Sequence, residues 1–300
     1  MIPSFPSNAR VAFIGDSITA ANITLRHIIH AYKTTRPDSK IRFFNCGVAG
    51  GTAKFALESF DSDVAHYAPT HAVIAFGIND SYRELLAEPR GKGRLNGLTG
   101  AFEVYKASLA ALIDRLKQDG VEITLCTPVP YDEYSPSPET PLPGAYALML
   151  GYAEFVRALA KEKEVHLYDQ HRVLSEVLEY DAIISPDRIH PTDHGYFVLA
   201  REFLGAQGID IGEEAPVEDY LAKWHSYVAR LRKVLAAECM IIPSFDMPTE
   251  EKLKLMTKKV EEENWGNPVF ESFIRDYVKD KPHEAELYRE IDRLFEEEIL

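Results

Sequence analysis

The stretch R-V-A-F-I-G-D-S-I-T-A, residues Arg10–Ala20, joins an apolar run to the start of a helix. The run Val11–Ile14 ends abruptly at Gly15-Asp16-Ser17. A short series of consecutive apolar residues that ends at such a turn is typical of a strand buried on both faces. Ser17 therefore stands where a helix begins, and its hydroxyl either caps that helix or is exposed for chemistry. The residues that follow the other predicted strands help to distinguish between these two interpretations.

Short apolar runs recur along the first two thirds of the chain and alternate with segments of helical periodicity. The predicted strands are Val11–Ile14, Ile41–Cys46, Ala72–Phe76, Val121–Thr127 and Val165–Tyr168. The predicted helices cover about 20–33, 53–66, 101–119, 145–162 and 193–205. Alternation of this kind predicts an α/β fold with a parallel sheet and helices on both of its faces.

Ligands bind such sheets outside the carboxyl ends of the strands, so the residues that follow each strand carry most of the functional information. Two connections at this edge are unusually long, Ser81–Gly100 and the proline-rich Pro128–Gly144. Loops of that length in a compact domain are often functional. We expect both to lie at the edge of the ligand crevice.

The strand pattern stops near residue 210, which predicts two parts, 1–210 and a helical extension 211–300. Within the extension, the segments 216–240, 249–264, 268–280 and 283–299 all have helical periodicity. Amphipathic helices need a partner for their apolar faces. The extension is therefore interpreted as a lid, as a structural cap or as an interface of a homo-oligomer, and these alternatives remain open.

Composition limits the partners of the chain. Its 300 residues carry a net charge of −14, which disfavours binding to nucleic acid or to an anionic membrane. Three cysteines without a CxxC pattern indicate free thiols in a reducing compartment. The first ten residues do not resemble a secretory leader and no long apolar stretch occurs, so we predict a cytoplasmic protein.

A serine becomes a nucleophile only when a base removes its proton and a partner orients that base. Asp187 and His190 lie three residues apart in S-P-D-R-I-H-P, a spacing that lets the carboxylate reach the imidazole. Preorganised donors must stabilise the oxyanion. Gly50, in a glycine-rich turn after the second strand, and Asn79, just after the third, are candidates for this role.

Each of these residues also has a simpler interpretation, as a helix cap, a turn residue or a solvated loop pair. His194 is a rival base, four residues after His190. A metal site shared by these two histidines is disfavoured because Pro191 interrupts any helix that would align them. The sequence has no Walker A loop and no G-x-G-x-x-G, H-E-x-x-H or G-x-S-x-G motif, and no cofactor is predicted.

Four sequence blocks together resemble the SGNH (GDSL-type) hydrolase family over about residues 8–206. The blocks are F-I-G-D-S-I-T, N-C-G-V-A-G-G-T, G-I-N-D and D-R-I-H-P. The resemblance implies Ser17 as nucleophile, His190 as base and Asp187 as its orienting partner. It also implies an oxyanion hole formed by the backbone amides of Ser17 and Gly50 and by the side chain of Asn79.

The same resemblance implies a flavodoxin-like, three-layer α/β/α sandwich around a five-stranded parallel sheet ordered 2-1-3-4-5. One departure from the family pattern occurs, because Gly51-Thr52 follows Gly50 where the family often has Asp followed by Ser or Thr. The backbone donor at Gly50 survives this change, but a hydrogen bond that organises the turn is expected to be missing.

The resulting functional prediction is a serine esterase that removes small acyl groups, mainly acetyl, from a carbohydrate. Its partner is a small-molecule ester, for which the predicted contact residues are Asp16, Asp80, Arg83, Tyr131 and Tyr134. A lysophospholipase or an acyl-thioesterase of the same family is the alternative. A non-catalytic flavodoxin-like binding module is a further alternative.

Overall fold

A computed structural model describes residues 2–221 of the chain, and most of the predicted extension lies outside these described residues. The strands are β1 Arg10–Gly15, β2 Arg42–Gly47, β3 His71–Ala75, β4 Glu122–Cys126 and β5 His166–Tyr168. The helices are α1 Ser17–Ala20, α2 Ile23–Thr35, α3 Ala53–Glu58, α4 Phe60–Asp63, α5 Lys92–Gln118, α6 Ala145–Glu162, α7 Gln170–Leu178 and α8 Asp193–Ala206.

The five strands form one parallel sheet in the order β2-β1-β3-β4-β5, which confirms the predicted fold. The central strand β1 is almost fully buried, as its run of apolar residues predicts. Helix α8 packs against α2 and α7, and helix α5 packs against α3 and α6 in a second group. These two groups cover the sheet, so that the strands are shielded from water on both faces.

The carboxyl ends of the strands lie level with one another. Gly15 of β1 pairs with Gly47 of β2 on one side and with Ala75 of β3 on the other. The sheet continues through Cys126 of β4 to Tyr168 of β5 at the same level. The turns that leave these strands are consequently neighbours along a single edge.

The prediction that Ser81–Gly100 is an extended loop is wrong. A 3₁₀ turn occupies Arg83–Ala87, and α5 begins at Lys92 rather than near residue 101. The glycines of this segment suggested a loop, yet a Cβ at Gly97 would lie 2.8 Å from Leu85 Cδ1. The Leu85 side chain thus packs closely on this glycine, which joins the turn to the first part of the helix.

Two further boundaries differ from the predictions. Helix α7 was not predicted, although Asp169 caps it by accepting a hydrogen bond from Arg172 N at 3.1 Å. The predicted helix 53–66 is broken at Ser59 into α3 and α4. Helix α7 is amphipathic but only nine residues long, so its pattern extends over little more than two turns.

The structure also locates two of the three thiols. Cys46 and Cys126 are buried thiols near the carboxyl ends of β2 and β4, whereas Cys239 lies outside the described residues. Within the described part of the chain, no helix combines the length and the apolar character that a membrane span requires. The cytoplasmic location stays a prediction.

Gly47 provides a test of the packing at the sheet edge. A Cβ at this position would collide with the backbone of Ala20, including its Cα at 2.8 Å, so we expect Gly47→Ala to lower the free energy of unfolding by about 1–3 kcal/mol. Gly151→Ala is the matched control, because Gly151 lies in α6 with no atom within 4 Å of the added Cβ. Alanine there should raise stability by up to about 1 kcal/mol. Urea unfolding measures the stability of both variants. Equal changes in their unfolding free energies would contradict the close packing of α1 on Gly47.

Candidate active site

Ser17 is the first residue of α1, and it is Asp16, not Ser17, that caps this helix. The Asp16 carboxylate accepts a hydrogen bond from Ile18 N at 2.9 Å. The Ser17 hydroxyl is therefore free of any capping role. Gly15, directly before, has no space for a side chain because a Cβ would collide with the Thr19 side chain. The helix can thus start at once after β1 and presents Ser17 at the sheet edge.

His190 lies in a tight hairpin that precedes α8. Ser185 N donates to His190 O at 2.7 Å, and Thr192 N donates to Ile183 O at 2.9 Å, so the two arms of the hairpin are paired. The hairpin packs against α8 at Gly195, where any Cβ would collide with Ile183 O. Local backbone bonds and this close contact together fix the position of the imidazole.

The two segments meet at a chain of short hydrogen bonds. Ser17 Oγ lies 2.7 Å from His190 Nε2, and His190 Nδ1 lies 2.6 Å from Asp187 Oδ2. Because the carboxylate accepts the proton at Nδ1, Nε2 is left to accept the proton of the serine hydroxyl. The structure thus brings together the three residues that the sequence predicted as nucleophile, base and orienting partner.

Asp187 is held in its ionised form. Partial burial acts to raise its pKa, but hydrogen bonds outweigh that effect and lower the pKa to about 2. Its Oδ1 accepts from Ile189 N at 2.9 Å, His190 N at 3.0 Å and the Ser185 hydroxyl at 2.7 Å. A carboxylate that stays charged near neutral pH can stabilise an imidazolium next to it.

Three potential oxyanion donors come from three neighbouring turns. The Ser17 amide is in the first turn of α1, where a helix has no internal acceptor for it. Gly50 adopts a left-handed φ of 75°, which favours glycine, and its missing side chain leaves open space. Asn79 Nδ2 uses one proton to donate to Gly51 O at 3.0 Å, so the second proton remains for a ligand.

The same contacts explain how the turn after Gly50 is organised without the side chain that the family often has there. Gly51 N donates a hydrogen bond to Val48 O at 2.8 Å, and Gly51 O accepts one from Asn79 Nδ2. Thr52 instead caps α3, accepting from Phe55 N at 3.1 Å. The turn therefore lacks the hydrogen bond expected from the family pattern, and the bond from Asn79, which follows β3, takes its place.

Asp16 and Asp80 lie beneath the site rather than on its surface, which corrects their predicted contact with substrate. Each is only 4% exposed. Asp80 Oδ1 accepts from Ala53 N at 2.8 Å, at the start of α3, while its buried Oδ2 has no hydrogen-bond partner among the described residues. Their hydrogen bonds to Ile18 N and Ala53 N hold the turns from below.

Burial gives these two carboxyl groups unusual acidities. It raises the pKa of Asp16 to about 6 and the pKa of Asp80 to about 7, and the nearby Asp16 charge adds to the effect on Asp80. Arg83, another predicted substrate contact, donates to Ile78 O at 2.9 Å and pairs with Glu84 at 3.2 Å. Its charge acts to lower the pKa of Asp16.

Asn45 has a structural role that the sequence interpretation missed. It is buried within β2 and its Nδ2 donates to Thr19 O at 2.9 Å, while its Oδ1 accepts from Gly47 N at 2.9 Å. One side chain thereby joins the end of β2 to α1. A polar residue inside the apolar run Ile41–Cys46 was the available signal, because buried amides require partners.

Arg188 is the second residue that was missed, although it lies between Asp187 and His190. It is 4% exposed and adopts a left-handed φ of 69°, which costs energy for a residue with a side chain. Its guanidinium donates to backbone oxygens of the proline-rich loop: Asp132 O at 2.9 Å, Glu139 O at 2.9 Å and Ser135 O at 3.2 Å. Arg188 therefore fastens the histidine hairpin to that loop.

The remaining predicted residues lie apart from the hydrogen-bonded triad. His194, the rival base, is engaged by Glu214 at 2.7 Å and Asp181 at 3.6 Å. Tyr131 is buried and its hydroxyl accepts from Leu142 N at 3.1 Å, whereas Tyr134 is 77% exposed. Among residues 2–221, no three histidine, cysteine, aspartate or glutamate side chains are placed so that they could hold a metal ion.

Residues 13–197 match the GDSL-like lipase/acylhydrolase family. The chain belongs to this family. It is accordingly a carboxylic ester hydrolase, in agreement with the resemblance found in its sequence blocks.

Individual relatives resemble this GDSL-family hydrolase at moderate identity. An acetylxylan esterase of Geobacillus stearothermophilus is 27% identical over 223 residues, which cover 68% of this chain and 96% of the relative. The solved structure of that enzyme covers 70% of this chain and 99% of its own length, with 24% identity and a TM-score of 0.58. A gut microbial diltiazem-metabolizing enzyme matches 69% of this chain with 26% identity and a TM-score of 0.63, and the match spans 48% of that enzyme.

The contacts of Arg188 predict a functional effect in this GDSL-family hydrolase. Arg188→Gly suits the left-handed backbone but removes the three hydrogen bonds to the proline-rich loop. We expect kcat for an acetyl ester to fall by about 10- to 100-fold, because a small displacement of His190 from Ser17 is costly. Arg201→Ala, which removes an exposed arginine of α8 paired with Glu202, is the control. An unchanged kcat in the folded Arg188→Gly variant would show that the bonds from Arg188 to the proline-rich loop do not position His190.

The buried carboxyl of Asp80 predicts a pH effect on stability. Its pKa of about 7 in the folded protein exceeds the unfolded value of about 4, so the native state binds more protons between these pH values. Its contribution to stability is therefore present at low pH and is lost as the pH rises through 7. Asp80→Asn has no proton to lose and keeps an oxygen for Ala53 N. Relative to the parent, we expect this variant to gain about 1–3 kcal/mol in unfolding free energy between pH 5 and pH 8.

Urea titrations at the two pH values measure this difference. Asp61→Asn is the matched control, because the Asp61 side chain is 89% exposed and should show no such gain. A parent and an Asp80→Asn variant with the same pH dependence would show that the carboxyl at this position titrates normally.

Proposed function

We propose that this chain is a serine esterase that removes acetyl groups from a carbohydrate through an acyl-enzyme on Ser17. The observation that carries the proposal is the continuous hydrogen-bonded path from Ser17 through His190 to Asp187, with distances of 2.7 and 2.6 Å. Such a path supports activation of the hydroxyl by a general base. It favours catalysis over a binding module that has these residues without their geometry.

In the acylation step, Ser17 Oγ attacks the ester carbonyl carbon while His190 Nε2 takes the hydroxyl proton. Asp187, ionised and bonded to Nδ1, stabilises the imidazolium that results. The carbonyl oxygen becomes an oxyanion that accepts hydrogen bonds from the amides of Ser17 and Gly50 and from Asn79. When the intermediate collapses, the bond to the alcohol breaks and His190 returns the proton to the leaving oxygen.

In the second step, His190 removes a proton from water, and the resulting nucleophile attacks the acyl group on Ser17. The same donors hold the second oxyanion, and collapse releases the acid while the proton returns to Ser17 Oγ. The cycle needs no group beyond the side chains and backbone amides already described. Asn79 keeps its donor in place throughout, because its other proton bonds Gly51 O.

The choice of acetylated carbohydrate as substrate is supported by the relative that is an acetylxylan esterase, 27% identical over 223 residues. Solved structures of that enzyme include catalytic mutants in which a serine, an aspartate or a histidine is replaced by alanine. These residue types are the same as the three that form the hydrogen-bonded path in this chain.

The proposed nucleophile is tested by Ser17→Ala. We expect hydrolysis of p-nitrophenyl acetate to fall by at least about 10⁴-fold, because no hydroxyl remains to form the acyl-enzyme. Labelling by a fluorophosphonate probe should disappear as well. Ser62→Ala, at a half-buried serine in α4, is the matched control and should keep both activity and labelling. Retained turnover in Ser17→Ala would reject the mechanism.

A panel of esters tests the proposed substrate. Acetylated xylo-oligosaccharides and p-nitrophenyl acetate should be hydrolysed with higher kcat/KM than p-nitrophenyl octanoate. Equal or better turnover of the long-chain ester, or of a lysophospholipid or acyl-thioester, would favour the alternative activity.

A further inference from the structure

A concave site lies between the proline-rich loop, α6 and α7. It is a cleft of about 480 Å³, a size typical of small-molecule sites. Among the described residues that line it, none is Ser17, Gly50, Asn79, Asp187 or His190. The cleft is therefore distinct from the proposed site of ester cleavage.

The loop wall of this cleft, residues 131–135, is held by side chains of its own segment. Asp132 Oδ1 accepts from Ser135 N at 3.0 Å and from Tyr134 N at 3.3 Å, which fixes the backbone at Tyr134. Glu133 accepts from Gly144 N at 2.9 Å and from Tyr146 N at 3.1 Å, joining the loop to the start of α6. The wall is thus preorganised rather than formed by a loose loop.

Three rings follow one another along the cleft. The ring centroids of Tyr134 and Tyr146 are 5.9 Å apart, and those of Tyr146 and His171 are 5.6 Å apart. Tyr134 is 77% exposed although its backbone is fixed, while His171 is only 2% exposed. The fixed loop therefore presents a flat aromatic face beside the cleft, on which the apolar face of a ligand can pack.

The inner end of the cleft offers an unsatisfied polar atom. His171 Nε2 is buried and makes no hydrogen bond to a described residue, and Nδ1 lies 3.3 Å from Ser175 Oγ. Burial lowers the pKa of His171 to about 4, so the ring is neutral near pH 7. A buried unsatisfied nitrogen is costly unless a ligand or water supplies its partner.

The charged side chains that line the cleft disfavour the binding of an anionic ligand. Arg157 bonds Asp169 with two nitrogens at 2.8 and 2.9 Å, and Arg172 bonds Glu176 at 2.9 Å, so carboxylates already neutralise both arginines. Further carboxylates line the cleft, Asp132 and Glu179 among them. A phosphate or carboxylate group would meet repulsion there, whereas a neutral ligand with many hydroxyl groups would find acceptors and ring faces.

We propose that this cleft binds an oligosaccharide segment of the carbohydrate substrate, with sugar rings against Tyr134 and Tyr146. The proposal rests on the proposed function for the identity of the carbohydrate. Arg188 connects the two regions, because its guanidinium bonds the carbonyls of Asp132 and Ser135 in the cleft wall. A chain held in the cleft is thereby adjacent to the segment that carries His190.

The binding test uses the full-length Ser17→Ala protein and deacetylated xylohexaose, with cellohexaose for comparison, in isothermal titration calorimetry. Tyr134→Ala should weaken binding of xylohexaose by about two- to tenfold, the expected loss for one stacked ring. The exposed position of Tyr134 makes unfolding unexpected, and thermal melting checks this. Tyr180→Ala is the matched control, because Tyr180 is 87% exposed and is not among the lining residues. No binding of either sugar, or equal affinity in the Tyr134→Ala and control proteins, would overturn the proposal.

Kinetics separate the failure of this proposal from failure of the proposed function. In the active enzyme, Tyr134→Ala should lower the ratio of kcat/KM for acetylated xylohexaose to that for p-nitrophenyl acetate by about two- to tenfold, mainly through KM. If the parent hydrolyses the acetylated sugar but the ratio is the same in both tyrosine variants, the cleft proposal fails and the proposed function stands. If the parent does not hydrolyse it, yet Tyr134→Ala weakens xylohexaose binding, the function fails and the cleft proposal stands.

Discussion

Strands β2, β1 and β3 end at one level, because Gly15 pairs in register with Gly47 on one side and with Ala75 on the other. Every donor of the candidate site depends on this constraint. The three turns that leave these strands have to share one edge, and Gly15 O accepts a hydrogen bond from Val48 N at 2.9 Å. The absence of side chains at both paired glycines lets α1 approach that edge. Ser17, Gly50 and Asn79 are thus brought together by backbone pairing, although they are far apart in sequence.

Two buried carboxyl groups beneath this edge orient the turns above them but lower the stability of the fold. Asp16 and Asp80 accept hydrogen bonds from Ile18 N and Ala53 N, and their burial disfavours the ionised form of each. Apolar residues would avoid that penalty but would leave both amides without acceptors. Functional sites often retain such unfavourable groups because the orientation of donors matters more there than local stability. Ionisation of these carboxyls therefore affects the same turns that present the proposed oxyanion donors.

Features that depend on neighbouring residues could be predicted from the sequence, whereas features that depend on contacts between distant residues could not. Buried strands are local patterns that the apolar runs reveal, whereas the order of the strands was implied by the resemblance to the SGNH family. The Asp187–His190 spacing is a local pattern too, and the structure places both residues in one hydrogen-bonded path with Ser17. The start of α5 was misplaced because its glycines are typical of loops, while the close contact of Gly97 with the Leu85 side chain is visible only in the folded structure. Arg188 was missed for a similar reason. Nothing in D-R-I-H-P indicates that its guanidinium is buried against carbonyls of residues about 50 positions earlier.

That long-range contact relates the cleft to the proposed site of ester cleavage. The carbonyls of Asp132 and Ser135 belong to the wall of the cleft, and the arginine that binds them stands between Asp187 and His190. Asp132 N also donates to Arg188 O at 3.0 Å, so the two segments exchange hydrogen bonds in both directions. The hairpin that carries His190 and the wall of the cleft are therefore parts of one network of hydrogen bonds. A displacement of either segment changes the length of the bonds that hold the other, because Arg188 and Asp132 contribute both a donor and an acceptor to the junction.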